Sequence, residues 1–481
     1  MKTLFFGREN QMEDLGRLWT KRTSSFVTCR GRRRIGKSTL IEKFAEVSGA
    51  RFLKIEGLRP TVGMTDATER EYFVQQLAKI SKRRQRPAGN WLEAFAQLDE
   101  IIDDRVRTVL LLDEISWMGN FDPKFSGTLK TMWDNAFKKH NRLVFVVCGS
   151  VSSWIKEHII DDGSFYGRRS LDIVVPELPL SECVKFWGKA ASRLDLREII
   201  DVLSVTGGIP RYLEEISAVY SADENIRGMA FRPESLLRTD FDEMFRDAIT
   251  RQPTLCGKIL RELVDAPLSA AELAERFSVD RNGNISKALE QLVETGLVSC
   301  DGGKNPQTGK AVREKHYRLR DNYSRFYLKY IEPDKEVIDQ SQYELGSLEQ
   351  LDGWESVKGL AFENLVLNNA AALKPLLGIG KASLTSVAPF RRTGSRNGRR
   401  SGLQIDLLVQ TRRSVYLVEV KRQRSIGREV IKEMEEKVAL LPVRKGVSVR
   451  TALVYDGELA PIVEADGYFD AIIPFRRIMG I

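Results

Sequence analysis

The sequence predicts an α/β protein with two separate sheet-bearing parts. A parallel sheet flanked by helices occupies the N-terminal half, a smaller α/β domain closes the chain, and helical modules lie between them. Three observations predict this. Short, fully apolar runs alternate with helical patterns through residues 1–176, as in a sheet covered on both faces. From about 253 to 319 three short segments with helical periodicity precede two strand-like runs. After residue 354 a helical pattern is followed by two neighbouring strand-like runs, 404–409 and 414–421.

The composition suits a soluble globular chain of about three domains. The chain has 481 residues, 42% hydrophobic and 29% charged. No apolar run approaches the ~18 residues of a membrane span, and the start, Met1 to Glu9, is too short and polar for a signal peptide. We therefore expect no membrane partner and a cytoplasmic protein. Five scattered cysteines (Cys29, Cys148, Cys183, Cys256, Cys300) lack paired spacing, which argues for a reducing compartment and against a zinc or disulfide frame. A net charge of +9 permits an anionic partner such as nucleic acid.

Taken in order, Met12, Leu15, Leu18 and Trp19 have helical spacing. Residues 24–29 read as a buried strand, and Gly31-Arg32-Arg33-Arg34-Ile35-Gly36-Lys37-Ser38-Thr39 follows it directly. This is G-x-x-x-x-G-K-[ST], with a helical pattern over 40–45 behind it. Gly31 and Gly36 let backbone amides turn inward around phosphates. Lys37 supplies a cation for the β- and γ-phosphates, and Ser38 a hydroxyl for Mg²⁺. The helix points its positive end at the ligand. Arg34 and Thr39 belong to the same nucleotide-binding set, and the implied cofactors are ATP and Mg²⁺.

Residues 51–56 form a second expected strand, followed by helices over 69–80 and 91–104 with a basic solvated turn at 81–87. Val109-Leu110-Leu111-Leu112-Asp113-Glu114 is a buried strand ending in two acids, and strand tips are where ligands bind in open parallel sheets. Asp113 is expected to hold Mg²⁺ through water, and Glu114 to orient and deprotonate the attacking water. Residues 143–150 make the next strand. Its terminal Ser150 either senses the γ-phosphate or caps a helix over 151–158. Arg168 and Arg169, in the loop before a strand at 171–175, are candidates for an arginine finger serving a neighbouring subunit, or else balance Asp161 and Asp162. Residues 178–244 are expected to be helical, broken at Gly207-Gly208-Ile209-Pro210, with Arg211 as a candidate phosphate sensor.

These residues resemble the AAA+/STAND branch of P-loop ATPases, and more narrowly prokaryotic and archaeal ATPases with the pattern F-x-G-R-E, G-R-R-R-x-G-K-[ST], L-x-[DE]-E, C-G-S, Y-G-R and G-G-x-P-x-Y. Here these are Phe6 to Glu9, Gly31 to Ser38, Leu111 to Glu114, Cys148 to Ser150, Tyr166 to Arg168 and Gly207 to Tyr212. The resemblance implies a five-stranded parallel core in which another strand separates the two nucleotide-binding strands. It also implies a Gly-x-Pro lid, a possible homo-oligomer through the ATPase domain, and an adenine contact near Phe6 to Leu18, where core packing is the plainer account.

In the middle module, Ser269 caps a helix over 270–277 with Glu272 completing a capping box. A third helix covers 284–293, and residues 297–300 and 315–319 pair as a wing. This resembles a winged helix-turn-helix, which implies DNA contact by Arg281, Asn282, Asn284, Ser286 and Lys287. A packing module is the alternative, given Glu290 and Glu294. Tyr323, Phe326, Tyr327 and Tyr330 read as core, and His140, His158 and His316 as structural. Residues 332–353 read as a linker.

The last part carries Glu363 on a helix, Asp406 on one strand, and Glu419 and Lys421 on its neighbour. Residues two apart on a strand share a face, so Glu419 and Lys421 point one way and Val418 and Val420 into the core. Two carboxylates to hold Mg²⁺ and a lysine to orient or deprotonate water suit metal-assisted phosphodiester hydrolysis. Asp406 with Glu419-Val420-Lys421 resembles D…E-x-K of the PD-(D/E)xK nucleases, with Glu363 as the acid of the first helix. This implies a restriction-endonuclease-like α/β fold. An exposed ion pair on an amphipathic hairpin is the alternative. Between Glu363 and Asp406 there is no acid but seven bases, Lys374, Lys381, Arg391, Arg392, Arg396, Arg399 and Arg400, which suits phosphate tracking.

The expected divisions are a P-loop ATPase core (1–176), a helical lid (177–248), the winged helix-turn-helix (249–331), the linker (332–353) and the nuclease-like domain (354–481). The expected function couples ATP binding and hydrolysis to DNA binding and metal-dependent DNA cleavage. The competing reading is a nucleotide-switched DNA-binding or signalling regulator with an inactive nuclease fold, and a third has the nuclease act on RNA.

Overall fold

The computed structural model describes residues 4–150, 152–249, 251–278, 283–381, 383–392 and 402–481. The chain divides into two compact units. One is the stretch up to Leu178 with the segment from Met244; the other is Pro179–Glu243 with Arg251–Ile481.

The first unit is built on five parallel strands: β1 (Ser25–Arg30), β2 (Arg51–Glu56), β3 (Thr108–Asp113), β4 (Leu143–Gly149) and β5 (Arg169–Val174), in the order β2-β3-β4-β1-β5. β4 lies between β1 and β3, the arrangement the resemblance implied. β3 and β4 are buried along their whole length because helices cover both faces. The core below them is aromatic. Phe26 stacks on Phe145 at 5.3 Å, and Trp91 meets Phe125 edge-on at 4.8 Å. The helix expected over 69–80 runs Asp66–Ser81, with Thr65 as its cap. The one expected over 91–104 stops at Asp99. Beyond it Asp103 accepts from the Arg105 amide at 2.9 Å, a side-chain turn that competes with helix.

In the second unit the helix Leu196–Thr206 ends at Gly207 (φ 56°), and Pro210 opens the next, Pro210–Leu213, so the expected break is present. The middle module contains the helices Pro253–Glu262, Ala270–Arg276 and Gly283–Glu294. Its strands β6 (Leu268–Ser269), β7 (Val298–Asp301) and β8 (His316–Leu319) form an antiparallel sheet ordered β6-β8-β7. Ser269 and Glu272 make the reciprocal capping box. Tyr323, Phe326, Tyr327 and Tyr330 are all buried, and Arg325 among them is 2% exposed and donates to the Val264 and Leu319 carbonyls.

Segment 332–353 is packed more closely than its polar composition suggests. It contains the helix Lys335–Asp339, buries Ile338, Leu348 and Leu351, and stacks Tyr343 on Phe231 at 5.0 Å. The helix Trp354–Asn368 follows. The last sheet comprises β9 (Leu384–Arg392), β10 (Leu403–Thr411), β11 (Ser414–Ile426), β12 (Ser448–Leu459) and β13 (Ala471–Pro474), in the order β13-β12-β11-β10-β9. β9, β10 and β11 are antiparallel, whereas β11, β12 and β13 are parallel, so the sheet is mixed. One expectation needs correction. Leu417, not Val418, lies in the cluster packed under the helix Glu429–Leu440 with Met434 and Val430. Glu419 and Lys421 share that inner face with Leu417. Glu419 is 3% exposed, Val418 is buried on the opposite face, and Val420 is only half-buried. Both faces of β11 are covered, so alternation does not separate core from solvent.

Candidate functional site

The phosphate loop leaves β1 and ends in the helix Lys37–Ser48, with Gly36 as its N-cap at φ 88°. Gly31 has φ 153°, and a side chain there would meet the Val175 carbonyl at 2.6 Å, so this bend needs glycine. Arg34 takes a left-handed φ of 66°. Ser38 and Thr39 lie in the first helical turn. Lys37 is 6% exposed, and its ammonium donates to the Gly31 and Arg32 carbonyls, each at 3.0 Å. Arg8 donates to the Ile35 carbonyl at 3.1 Å, which ties the F-x-G-R-E segment to the loop. The tip of β3 faces the same loop. Asp113 accepts from the Ser38 hydroxyl at 2.6 Å and from Lys54 at 3.0 Å.

Glu114 has a left-handed φ of 51°, and its carboxylate accepts from the Ser150 amide (3.0 Å) and hydroxyl (2.9 Å). Burial pushes the Glu114 carboxyl above its ordinary value; Lys37 and the Ser150 bonds oppose this. Ser150 is thus a partner of Glu114, and the helix expected to start at 151 runs Ser152–Ile155. Val151 lies outside the described residues. Hard oxygen donors at Ser38 and Asp113 fit Mg²⁺. Arg168 is held by a bidentate contact to Asp134 at 2.8–3.1 Å, not by Asp161 or Asp162. Arg211 pairs with Glu215 at 2.5 Å and Glu214 at 3.5 Å on its own turn of helix.

Two residues near this site escaped the sequence reading. Lys54, in the middle of β2, is held above its ordinary pKa. Burial alone would lower it, and the charges of Asp113 and Glu56 outweigh that. Asp247 pairs with Arg33 of the loop and, at 3.5 Å, with Arg59. A cation between Leu53 and Ile55, inside the strand, was the available signal for Lys54. Nothing local marks Asp247.

The C-terminal acids also meet. Leu407 pairs with Val418, so Asp406 and Glu419 stand opposite one another where the ladder of β10 and β11 ends. There the Asp406 carboxylate accepts from the Val420 amide at 2.9 Å. Burial, then the charges of Glu419 and Glu363, pushes the Asp406 carboxyl up to about 7. Glu363, on the helix Trp354–Asn368, is also raised by burial, and its Oε1 is a buried atom without a hydrogen-bond partner. Lys421 pairs with Glu419 at 3.2 Å and Glu433 at 2.6 Å. Burial alone would lower its pKa, but these carboxylates hold it above the ordinary value, so it fits orienting water better than deprotonating it.

Lys437, one turn beyond Glu433, reaches Glu419 at 2.5 Å. The sequence reading missed both. Their i, i+4 spacing marks one helix face but not the strand it covers. Opposed carboxylates with an orphaned buried oxygen nearby fit a divalent cation. Among the described residues, however, no group of three or more acids, histidines or cysteines is close enough to hold a metal by itself. Of the basic loop, Arg396, Arg399 and Arg400 lie outside the described residues, as do Arg281 and Asn282 of the helix-turn-helix. Asn284, Ser286 and Lys287 are exposed. The three histidines are structural: His140 sits between Asp99 and Asp104, His158 contacts the Trp154 carbonyl, and His316 is buried. No helix among the described residues is long and apolar enough to cross a membrane.

Comparison with known proteins bears on the first two modules. Residues 5–216 match the family described as an ATPase domain predominantly from Archaea, and residues 255–301 a helix-turn-helix domain family. The chain therefore carries an archaeal-type P-loop ATPase domain followed by a helix-turn-helix domain. It is 22% identical over 367 residues to an uncharacterized protein of Methanocaldococcus jannaschii, covering 75% of this chain and 76% of that one. Among solved structures it is similar to a Walker-type ATPase of Pyrococcus abyssi (16% identity, 67% of this chain, 96% of that chain, TM-score 0.48). It is also similar to the Aeropyrum pernix ORC2 protein in ADPNP–ADP complexes (15%, 71% and 97%, TM-score 0.43).

Proposed function

We propose that the protein binds ATP and Mg²⁺ at Gly31 to Thr39 with Asp113, hydrolyses ATP through Glu114, and uses nucleotide state to govern DNA binding and Mg²⁺-dependent DNA cleavage at Asp406, Glu419 and Lys421. The proposed division of labour follows the boundaries expected above, with the ATPase core at 1–176 and the nuclease-like domain at 354–481. The observation that carries the cleavage reading is the opposition of Asp406 and Glu419 where two strands part, with Lys421 on the same face as Glu419. A bound Mg²⁺ would supply Lewis-acid stabilisation of the phosphate. Asp406 and Glu419 would hold it, Glu363 would add an outer carboxylate, and Lys421 would orient water. In the ATPase site Ser150 holds Glu114 in place. An arginine-finger role for Arg168 requires it to leave Asp134.

A second reading, a nucleotide-switched DNA-binding regulator with an inactive nuclease fold, is favoured by Lys437. Together with Lys421 it already neutralises Glu419. Mn²⁺ titration by calorimetry separates the two. The nuclease reading expects one Mn²⁺ site lost in Asp406→Asn and Glu419→Gln with ATP binding kept. No Mn²⁺ heat beyond that of the ATP site supports the regulator.

A further inference from the structure

The wing of the helix-turn-helix does not stand free. Its turn leans on the C-terminal sheet: the Lys304 amide donates to the Ser386 hydroxyl at 3.0 Å, and Gln410 donates to the Lys304 carbonyl at 2.6 Å. The Arg444 amide reaches the Pro306 carbonyl at 3.3 Å, and Val312 packs on the C-terminal core. The wing therefore covers the edge strand β9, which would otherwise offer unpaired backbone groups.

Docking brings three loops together: the wing turn, the β10–β11 turn, and the loop after the helix Glu429–Leu440. The Arg444 guanidinium donates to the Arg412 carbonyl at 3.4 Å, and the Ser448 amide to the Arg413 carbonyl at 2.9 Å, closing the cluster. These loops carry Lys304, Lys310, Arg412, Arg413, Arg444 and Lys445, all exposed. None of the six is in an ion pair among the described residues, whereas Arg422, Arg261 and Arg227 elsewhere in this unit are paired. Acids are absent from residues 407–418 and 437–455, and Glu314 is the sole acid in 302–315. Unpaired like charges held together by backbone contacts repel one another unless an anion is present. A fold that assembles them from three loops suits a polyanion.

We propose that this composite surface binds the phosphodiester backbone of duplex DNA, as an anchor separate from the helix Gly283–Glu294. The proposal goes beyond the cleavage reading and does not depend on it. Residue 413 is six positions from Glu419 along the sheet, roughly 20 Å at the usual strand rise. DNA held here would therefore be gripped at a distance from the acids.

The test uses the full chain and a fluorescent 30-base-pair duplex of arbitrary sequence, with Kd measured by anisotropy at several salt concentrations. Each phosphate contact contributes about 0.9 to the slope of log K against log salt. Replacing Arg412, Arg413, Arg444 and Lys445 by Ser is expected to reduce that slope by roughly 3 to 4 and to weaken binding at least tenfold, while Ser286→Glu with Lys287→Glu leaves the slope difference intact. An unchanged slope and Kd in a variant that melts like wild type overturns the proposal. Should the quadruple variant fold poorly, acetylation mapping of the wild-type chain decides. Protection of Lys310 and Lys445 by duplex DNA is expected, and equal labelling with and without DNA overturns the assignment. Protection by duplex RNA but not DNA overturns it equally. Cleavage activity is scored separately, so a dead nuclease leaves the binding result readable.

Discussion

Glu69 is 1% exposed. One of its oxygens accepts from the Leu58 amide at 2.9 Å, and the other is buried without a hydrogen-bond partner. Burial pushes its carboxyl from 4.5 up to about 7. The folded chain therefore binds this proton more tightly than the unfolded one. The resulting destabilisation is absent below pH 4.5, grows as pH rises to 7, and is constant above, at about 3 kcal/mol by the usual conversion. Glu69→Gln should therefore raise the melting temperature at pH 8 and leave it nearly unchanged at pH 4, as read by calorimetry. In the proposed ATP site the residues would separate binding from chemistry. Lys37→Ala should abolish binding of a fluorescent ATP analogue. Glu114→Gln should keep binding and slow hydrolysis by roughly 10²- to 10⁴-fold, the usual contribution of a general base.

At the scale of elements, what could be read from the sequence was what is decided locally. The phosphate loop, the acid-tipped strand and the Ser269–Glu272 box are short-range devices, and each appears where its residues specify it. Ser269→Ala should cost about 1 kcal/mol, seen as earlier unfolding of the helix-turn-helix by hydrogen exchange at Ala270–Arg276. Non-local pairings could not be read. Lys437 reaches Glu419 from another element, Arg318 joins β8 to Asn364, and Cys29 and Cys148 are register partners on neighbouring strands. Which face of β11 packs under the helix Glu429–Leu440 could not be read for a related reason. With both faces covered, a valine and a glutamate are equally inaccessible, and alternation carries no direction.

At the scale of the whole molecule, one ion pair connects the second unit's helical segment with its C-terminal sheet. Arg422, next to Lys421, pairs with Asp201 on the helix Leu196–Thr206 and with Asp456 at 3.5 Å. Under the proposed coupling, Arg422→Ala should leave ATP hydrolysis within about twofold of wild type while cleavage loses its dependence on ATP, a split that a plasmid assay run beside a phosphate-release assay detects.

The central claim is that an ATPase domain governs a metal-dependent nuclease, and Mg²⁺-dependent plasmid nicking tests it most directly. Wild type, Lys37→Ala and Lys421→Ala are compared with and without ATP. The account predicts nicking by wild type that responds to ATP, loss of that response in Lys37→Ala, and loss of nicking in Lys421→Ala with ATP hydrolysis intact. Absence of nicking under Mg²⁺ or Mn²⁺, with or without ATP, from a wild-type chain that still hydrolyses ATP and binds duplex DNA would contradict it.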